Sequence, residues 1–401
     1  MFDHVRGLRN LDEKFITRLN RVLELHQSSS LDEFRVCYRL TKSSASEIDK
    51  WICYAMDKKV KRFELDFLMD FELSPPGLFY TFPSCFPVET VTSVEYLSLS
   101  SCILQLPGLG NFRSLKHLFL KDVELDDEIF QNILSGCLLL ERLSLSGSRK
   151  LVNVKVDGSS SKLRCLEIYF CHYLKTIEIY TSNLVTFRYI GPEVYFSLKN
   201  APCLVEVSFC VSLKTCDNRL SYACAQFTSK LPQLERIVLE LNPHEVCKEI
   251  KMLPTFSNLK VLTLWVRIKN ESLMVFTSLL ESSPSLRRFE LHLLPLDPLA
   301  ESKKIESSSG CLYQHLEEVE IGGFQGHEDE IQLLMYIVQN TITLKKIIID
   351  PYDQYLDGNE LVRSDFDLEI LGIVSQSLQF AMEEALRFRD WVPPAIEVVI
   401  K

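Results

Sequence analysis

Several things are scarce or missing in this chain of 401 residues. Glycine is limited to 14 positions, and the Gly-rich turns that cradle phosphates are hard to find. Gly108-Leu109-Gly110 is a lone turn, without the Gly-x-Gly-x-x-Gly context that a strand–helix phosphate site needs. There is no Walker-type loop and no Gly-x-Ser-x-Gly elbow. No apolar run approaches the length of a membrane span. Met1-Phe2-Asp3-His4-Val5-Arg6 carries charges where a signal peptide needs an apolar stretch. A basic excess is lacking too: the formal net charge is −10, against what a nucleic-acid backbone binder usually shows. The expectations are no membrane partner, no nucleic-acid partner, and a cytoplasmic or nuclear location.

The 13 cysteines contain no Cys-x2-Cys pair, and in a reducing compartment they read as small buried hydrophobes. Cys165, Cys171 and His172 lie close enough to suggest a metal or a nucleophile, and so do Cys203, Cys210, Cys216 and Cys224. Their irregular spacing favours a structural role. The eight histidines form no His-x-x-x-His pair. Paired carboxylates such as Asp126/Asp127 and Glu317/Glu318 are most simply solvated faces. No catalytic, cofactor-binding or metal-ligating residue is assigned, and enzyme activity is not expected.

What is present is a repeat. An apolar residue, two others, an apolar residue, one other and a further apolar residue recur at Val94/Leu97/Leu99, Leu115/Leu118/Leu120, Leu140/Leu143/Leu145 and Leu163/Leu166/Ile168. The pattern returns at Leu184/Phe187/Tyr189, Leu204/Val207/Phe209, Leu234/Ile237/Leu239 and Leu259/Leu262/Leu264. It closes with Leu286/Phe289/Leu291, Leu316/Val319/Ile321 and Leu344/Ile347/Ile349. Steps of roughly 20–30 residues with an L-x-x-L-x-L core are the rhythm of leucine-rich repeats. One such unit cannot bury its apolar face alone, so units stack.

The expected fold is an α/β leucine-rich repeat solenoid, with a curved parallel sheet on the concave face and short strands and helices on the convex one. Leu174/Ile177/Ile179 falls between two repeats and reads as a convex-side strand. Asp126–Ser135 and Asn270–Ser282 read as helices. Residues 1–58 read as an N-terminal helical cap with an atypical first repeat, 59–305 as the repeats, and 306–401 as a C-terminal α/β cap. Within the last, a helix is expected over Glu328–Asn340, another over Phe366–Phe388, and a final strand over Ala395–Ile400. The serine-rich Glu301–Gly310 reads as a linker.

The segment His315-Leu316-Glu317-Glu318-Val319-Glu320-Ile321-Gly322-Gly323-Phe324-Gln325-Gly326, with Glu330, Asn340 and Leu344-Lys345-Lys346-Ile347 after it, resembles the plant F-box proteins that carry leucine-rich repeats and a C-terminal FBD domain. Phe34–Phe67, with Ile48-Asp49-Lys50-Trp51-Ile52, and Leu163–Gly191 resemble other parts of that family. Met1–Gln27 holds no proline, no tryptophan and no Leu-Pro-x-x-Leu start, so the similarity begins just after the family's F-box. The resemblance implies a protein-recognition module, similar to the substrate-binding part of an SCF-type ubiquitin ligase. A Skp-type adaptor and a cullin are implied as partners only if an F-box is supplied. An F-box-less scaffold or competitor, and a small-ligand receptor, remain alternatives.

Binding is expected on the concave face, where residues alternating with the buried pairs point outward. Aromatic and arginine side chains dominate recognition surfaces. That selects Phe119, Arg142, Tyr169, Arg188 and Trp265 as candidate protein-binding residues. Phe119 and Tyr169 are two repeats apart, close enough to flank one ligand.

Overall fold

A computed structural model of the chain describes residues 2–69, 76–83, 92–106, 109–158, 162–180, 183–199, 201–211, 231–241, 255–268, 272–295, 312–352 and 370–401. They gather into two compact units, Met1–Cys203 and Leu204–Lys401. The first contains helices α1 (Phe2–Leu25), α2 (Ala45–Asp57) and α3 (Asp127–Gly136). Its strands are β1 (Glu33–Cys37), β2 (Arg62–Asp66), β3 (Tyr80–Thr81), β4 (Tyr96–Ser100), β5 (Cys102–Ile103), β6 (His117–Lys121), β7 (Arg142–Ser146), β8 (Asn153–Asp157), β9 (Cys165–Tyr169), β10 (Thr176–Tyr180), β11 (Thr186–Gly191) and β12 (Tyr195–Leu198). A parallel sheet runs β1-β2-β4-β6-β7-β9-β11. A second sheet runs β12-β10-β8, and β3 pairs with β5.

The repeat explains the register. Leu97, Leu118, Leu143, Leu166 and Phe187 are successive register partners, and every one is fully buried. Leu99, Leu120, Leu145, Ile168 and Tyr189 form the next inward row. Burying each such side chain contributes about 1.5–3 kcal/mol. In several units the first apolar residue closes a turn: Leu140 N donates to Cys137 O and Leu174 N to Cys171 O, at 3.0 and 3.1 Å. The next two N–H groups then clamp onto the previous repeat. Glu141 N and Arg142 N both donate to Lys116 O, and Arg164 N and Cys165 N to Glu141 O. Turn and clamp together prevent a one-residue slip, which would expose the whole inward row.

The convex-side strand expected at Leu174/Ile177/Ile179 is β10, and it has company. Leu151/Val154/Val156 repeats the same spacing and forms β8, while Phe196 and Leu198 form β12; these flanking strands were not anticipated. The helix at Asp126–Ser135 runs Asp127–Gly136, because Asp126 is its cap and accepts from Ile129 N at 2.9 Å. At the amino end, α1 seats on the first repeat through aromatic contacts. Phe15 stacks on Tyr38 with centroids 4.0 Å apart and meets Trp51 edge-on. Buried Trp51 donates from Nε1 to Asn20 Oδ1 at 2.7 Å.

The second unit carries strands β13 (Glu206–Val211), β14 (Arg236–Leu241), β15 (Val261–Ile268), β16 (Arg288–Pro295), β17 (Glu318–Gly322), β18 (Lys346–Asp350) and β19 (Glu397–Ile400), paired in that order and all parallel. Its helices are α4 (Thr277–Glu281), α5 (Glu328–Asn340) and α6 (Ile370–Trp391). The expected helix over Asn270–Ser282 is instead a 3-10 turn, Leu273–Phe276, followed by α4. Ser272 accepts from Met274 N, and Thr277 Oγ1 donates to Met274 O at 2.7 Å; both bonds draw the backbone into the tighter turn. Residues 296–311, with the expected linker, and 366–369 of the last expected helix lie outside the described residues.

The Gly-Gly-Phe-Gln-Gly segment after β17 needs its glycines. Gly323 has φ +67°, and a Cβ there would come within 2.2 Å of Leu293 O; Gly326 has φ +81°. The turn delivers three N–H groups to one carboxylate: Gln325, Gly326 and His327 donate to Glu330 Oε2 at 2.9, 2.8 and 3.3 Å. Glu330 is fully buried, and its Oε1 has no partner. Burial outweighs the three donors and pushes its pKa up to about 7.

Two outcomes follow. Leu166→Ala should lower unfolding free energy by about 2–5 kcal/mol in urea titrations, the usual loss for a buried leucine. Because the folded pKa of Glu330 lies above its unfolded value, the folded protein holds this proton more tightly, and the associated stability is present in acid and lost as pH rises through about 7. The urea midpoint of the second unit should therefore fall between about pH 5 and 8, and Glu330→Gln should flatten that fall.

Candidate functional site

The open face of the first unit's sheet is set by alternation: residues on either side of the buried pairs point away from the core. Phe119, Ser144, Glu167 and Arg188 share one register row. Arg142 and Cys165 lie in the row before, and Ser146 and Tyr169 in the row after. Phe119, Arg142, Tyr169 and Arg188 are each half-buried, and the structure brings them into one cluster. Arg142 Nη2 donates to Glu167 Oε1 at 2.7 Å, and Arg188 Nη1 to the same oxygen at 3.2 Å. The Arg142 guanidinium also lies 5.7 Å from the centre of the Phe119 ring. Phe119 in turn packs on Tyr96 with centroids 5.1 Å apart, and the Arg62 guanidinium sits 3.7 Å over Tyr96.

Glu167 corrects the sequence reading. It belongs to the outward set but is only 3% exposed, because two guanidinia lie across it. Burial opposes charge on Arg142, yet the Glu167 carboxylate outweighs it and holds the Arg142 pKa above its ordinary value. Burial and the Glu167 charge likewise raise the Tyr169 phenol. Sequence reasoning did not pick out Tyr96 or Glu167; their places in the repeat were the available signal.

Trp265 belongs to the second unit and has a different setting. Its indole stacks on the His292 ring, with centroids 4.2 Å apart and planes 12° from parallel. Thr263 Oγ1 donates to Glu290 at 2.7 Å, and Arg288 pairs with Glu290, Glu318 and Glu320. His292 and Thr263 alternate with the inward residues of their strands and are nonetheless buried beside these neighbours.

Of the cysteines flagged by spacing, Cys171 and Cys210 are buried, Cys165 is half-buried, and Cys203 is exposed, against the expectation of buried hydrophobes. Burial pushes Cys171 up to about 12 and Cys165 up to about 11, so both are thiols rather than thiolates at neutral pH. Cys171 Sγ donates to Tyr169 O at 3.6 Å. Cys216 and Cys224 lie outside the described residues. Among the described residues no set of three His, Cys, Asp or Glu groups is placed to hold a metal ion, and no helix is long and apolar enough to cross a membrane.

The parallel ladder and its leucine rows agree with a family model described as At1g61320/AtMIF1, LRR domain, which matches residues 22–376. The chain belongs to this leucine-rich repeat family. Among curated relatives, the chain is 27% identical over 256 residues to the Arabidopsis thaliana putative F-box/LRR-repeat protein At5g02930, covering 62% of this chain and 50% of that protein. It thus spans half the length of that relative. It is 27% identical over 392 residues to the Arabidopsis thaliana putative FBD-associated F-box protein At5g56440, covering 90% of this chain and 83% of that one. Among solved structures it is similar to the mouse RP105/MD-1 complex, with 14% identity, a TM-score of 0.35, and coverage of 84% of this chain and 57% of that one, too distant to bear on function. A leucine-rich repeat protein of this family is a protein-interaction module, with relatives named for the F-box and FBD.

Arg142→Met leaves buried Glu167 with Arg188 as its remaining guanidinium of the pair. The expected loss is about 1 kcal/mol, kept small because the arginine is partly exposed. Adding Glu167→Gln should restore part of it, a non-additivity that a double-mutant cycle in urea would measure.

Proposed function

We propose that this protein recognises a protein target on the open face of the first unit, as the substrate-binding part of an SCF-type ubiquitin ligase F-box protein does. The observation that carries the reading is the linked Phe119–Arg142–Glu167–Arg188 surface. It combines the aromatic and arginine side chains that dominate interface energetics with a rigid, in-register sheet beneath them. The names of the relatives support the ligase context. On this reading residues 1–58 cap the repeats, 59–305 supply the recognition face, and 306–401 form the FBD segment. The chain performs no chemistry itself, works in the cytoplasm or nucleus, and meets a Skp-type adaptor and a cullin only where an F-box is supplied.

The test places a photo-crosslinking amino acid at Phe119, and separately at exposed Lys155 on the second sheet. The expected result is protein crosslinks from position 119 alone, to targets whose ubiquitination falls when the chain is depleted. Tyr169→Ala should weaken that crosslinking while the thermal transition stays within a few degrees. Equal crosslinking from both positions would remove the open face from the proposal. Crosslinked targets with unchanged ubiquitination would remove the ligase role.

A further inference from the structure

Sharpening the reading just given, we infer that the open face around Arg142 and Arg188 takes an acidic peptide segment of a protein partner, with a partner carboxylate between the two guanidinia and an apolar neighbour laid on Phe119 or Tyr169. The local charge argues for it. In a chain of net charge −10, strands β6, β7, β9 and β11 bring Lys121, Arg142 and Arg188 to one face, and Glu167 is the acidic residue among these strands' outward positions. The geometry argues further. Both guanidinia bond the same Glu167 oxygen, so one carboxylate holds two forks in place. Each arginine side chain remains about two-fifths exposed, at 40% and 39%. Arg142 Nε is buried without a partner.

A guanidinium has five N–H donors and suits a carboxylate bidentately, so a pinned fork can accept a second carboxylate from the solvent side. Glu167 sets the arginine rotamers before the ligand arrives, which reduces the entropy lost on binding. Four strands at about 4.8 Å spacing span about 14 Å, the length of roughly four extended residues. That dimension fits a short peptide crossing the strands, with Phe119 towards one side of the patch and Tyr169 within it. A nucleic acid fits less well, since it calls for a continuous basic stripe on a basic protein.

The test is fluorescence anisotropy on the full chain with a labelled peptide of alternating glutamate and phenylalanine, beside a version with glutamine for glutamate. The expected result is salt-sensitive binding of the glutamate peptide and much weaker binding of the glutamine one. Arg142→Gln and Arg188→Gln should each weaken binding about tenfold, the worth of a charge-assisted hydrogen bond. Arg142→Lys should recover part of the loss, because charge returns without the fork. Lys121→Gln, which leaves Glu167 untouched, gives a second readout should the arginine variants unfold, and should reduce binding and its salt slope. Glu167→Gln should preserve binding, since the amide oxygen still accepts from both guanidinia while the competing internal charge is removed.

No binding of the glutamate peptide, equal binding of the glutamine peptide, or unchanged affinity in the folded arginine variants would overturn the inference. So would a folded Glu167→Gln protein that binds as poorly as Arg142→Gln, or an oligonucleotide that competes as well as the peptide. Photo-crosslinking from Phe119 without any dependence on glutamate would leave the recognition reading intact and reject only the acidic ligand.

Discussion

Everything in each unit depends on keeping one repeat in phase with the next. The inward leucines of a single strand are too few to shield one another, and stability arises only when the rows at Leu97/Leu118/Leu143/Leu166/Phe187 and Leu99/Leu120/Leu145/Ile168/Tyr189 close across strands. The backbone enforces this spacing at both ends of each strand. Paired N–H groups clamp onto the preceding repeat at the start. At the finish the chain turns through left-handed residues at Ser101, Asp122, Gly147 and Phe170. Non-glycine residues tolerate that conformation at a cost, which neighbouring packing offsets.

The same phase lock creates the binding surface. With inward positions fixed, the alternate positions form a grid whose columns, the strands, are about 4.8 Å apart. Side chains on that grid lack the freedom of an ordinary surface. Arg142 and Arg188 reach across the strands to one carboxylate between them, and Phe119 and Tyr96 pack in the neighbouring columns. A surface organised in this way loses little entropy on binding and holds its charges in fixed geometry, which is how a sheet becomes a recognition face. The second unit builds its grid differently, around Arg288 among carboxylates and Trp265 stacked on His292.

Much of the fold was legible because apolar spacing is a local property. The repeat strands, the β10 position, and the helix over Glu328–Asn340 all follow from it. Leu151/Val154/Val156 carries the same signal, masked in the sequence because it falls between two stronger copies. The expected helix over Asn270–Ser282 is helical over Leu273–Glu281 but begins as a 3-10 turn, because periodicity cannot see Ser272 and Thr277 bonding to nearby backbone. The candidate surface was legible as a set of positions, and Phe119, Arg142, Tyr169 and Arg188 do share one face.

The order of leucines by itself determined the repeat, the parallel ladder and which residues face away from the core, because a period-two strand leaves no other way to bury those rows. Only the tertiary structure decided what the outward residues do to one another. Glu167 lies beneath arginines from strands on either side, and Trp265 belongs to the second unit while the other four candidates belong to the first. Those outcomes depend on side-chain reach across neighbouring strands, a distance set by stacking and absent from any single repeat.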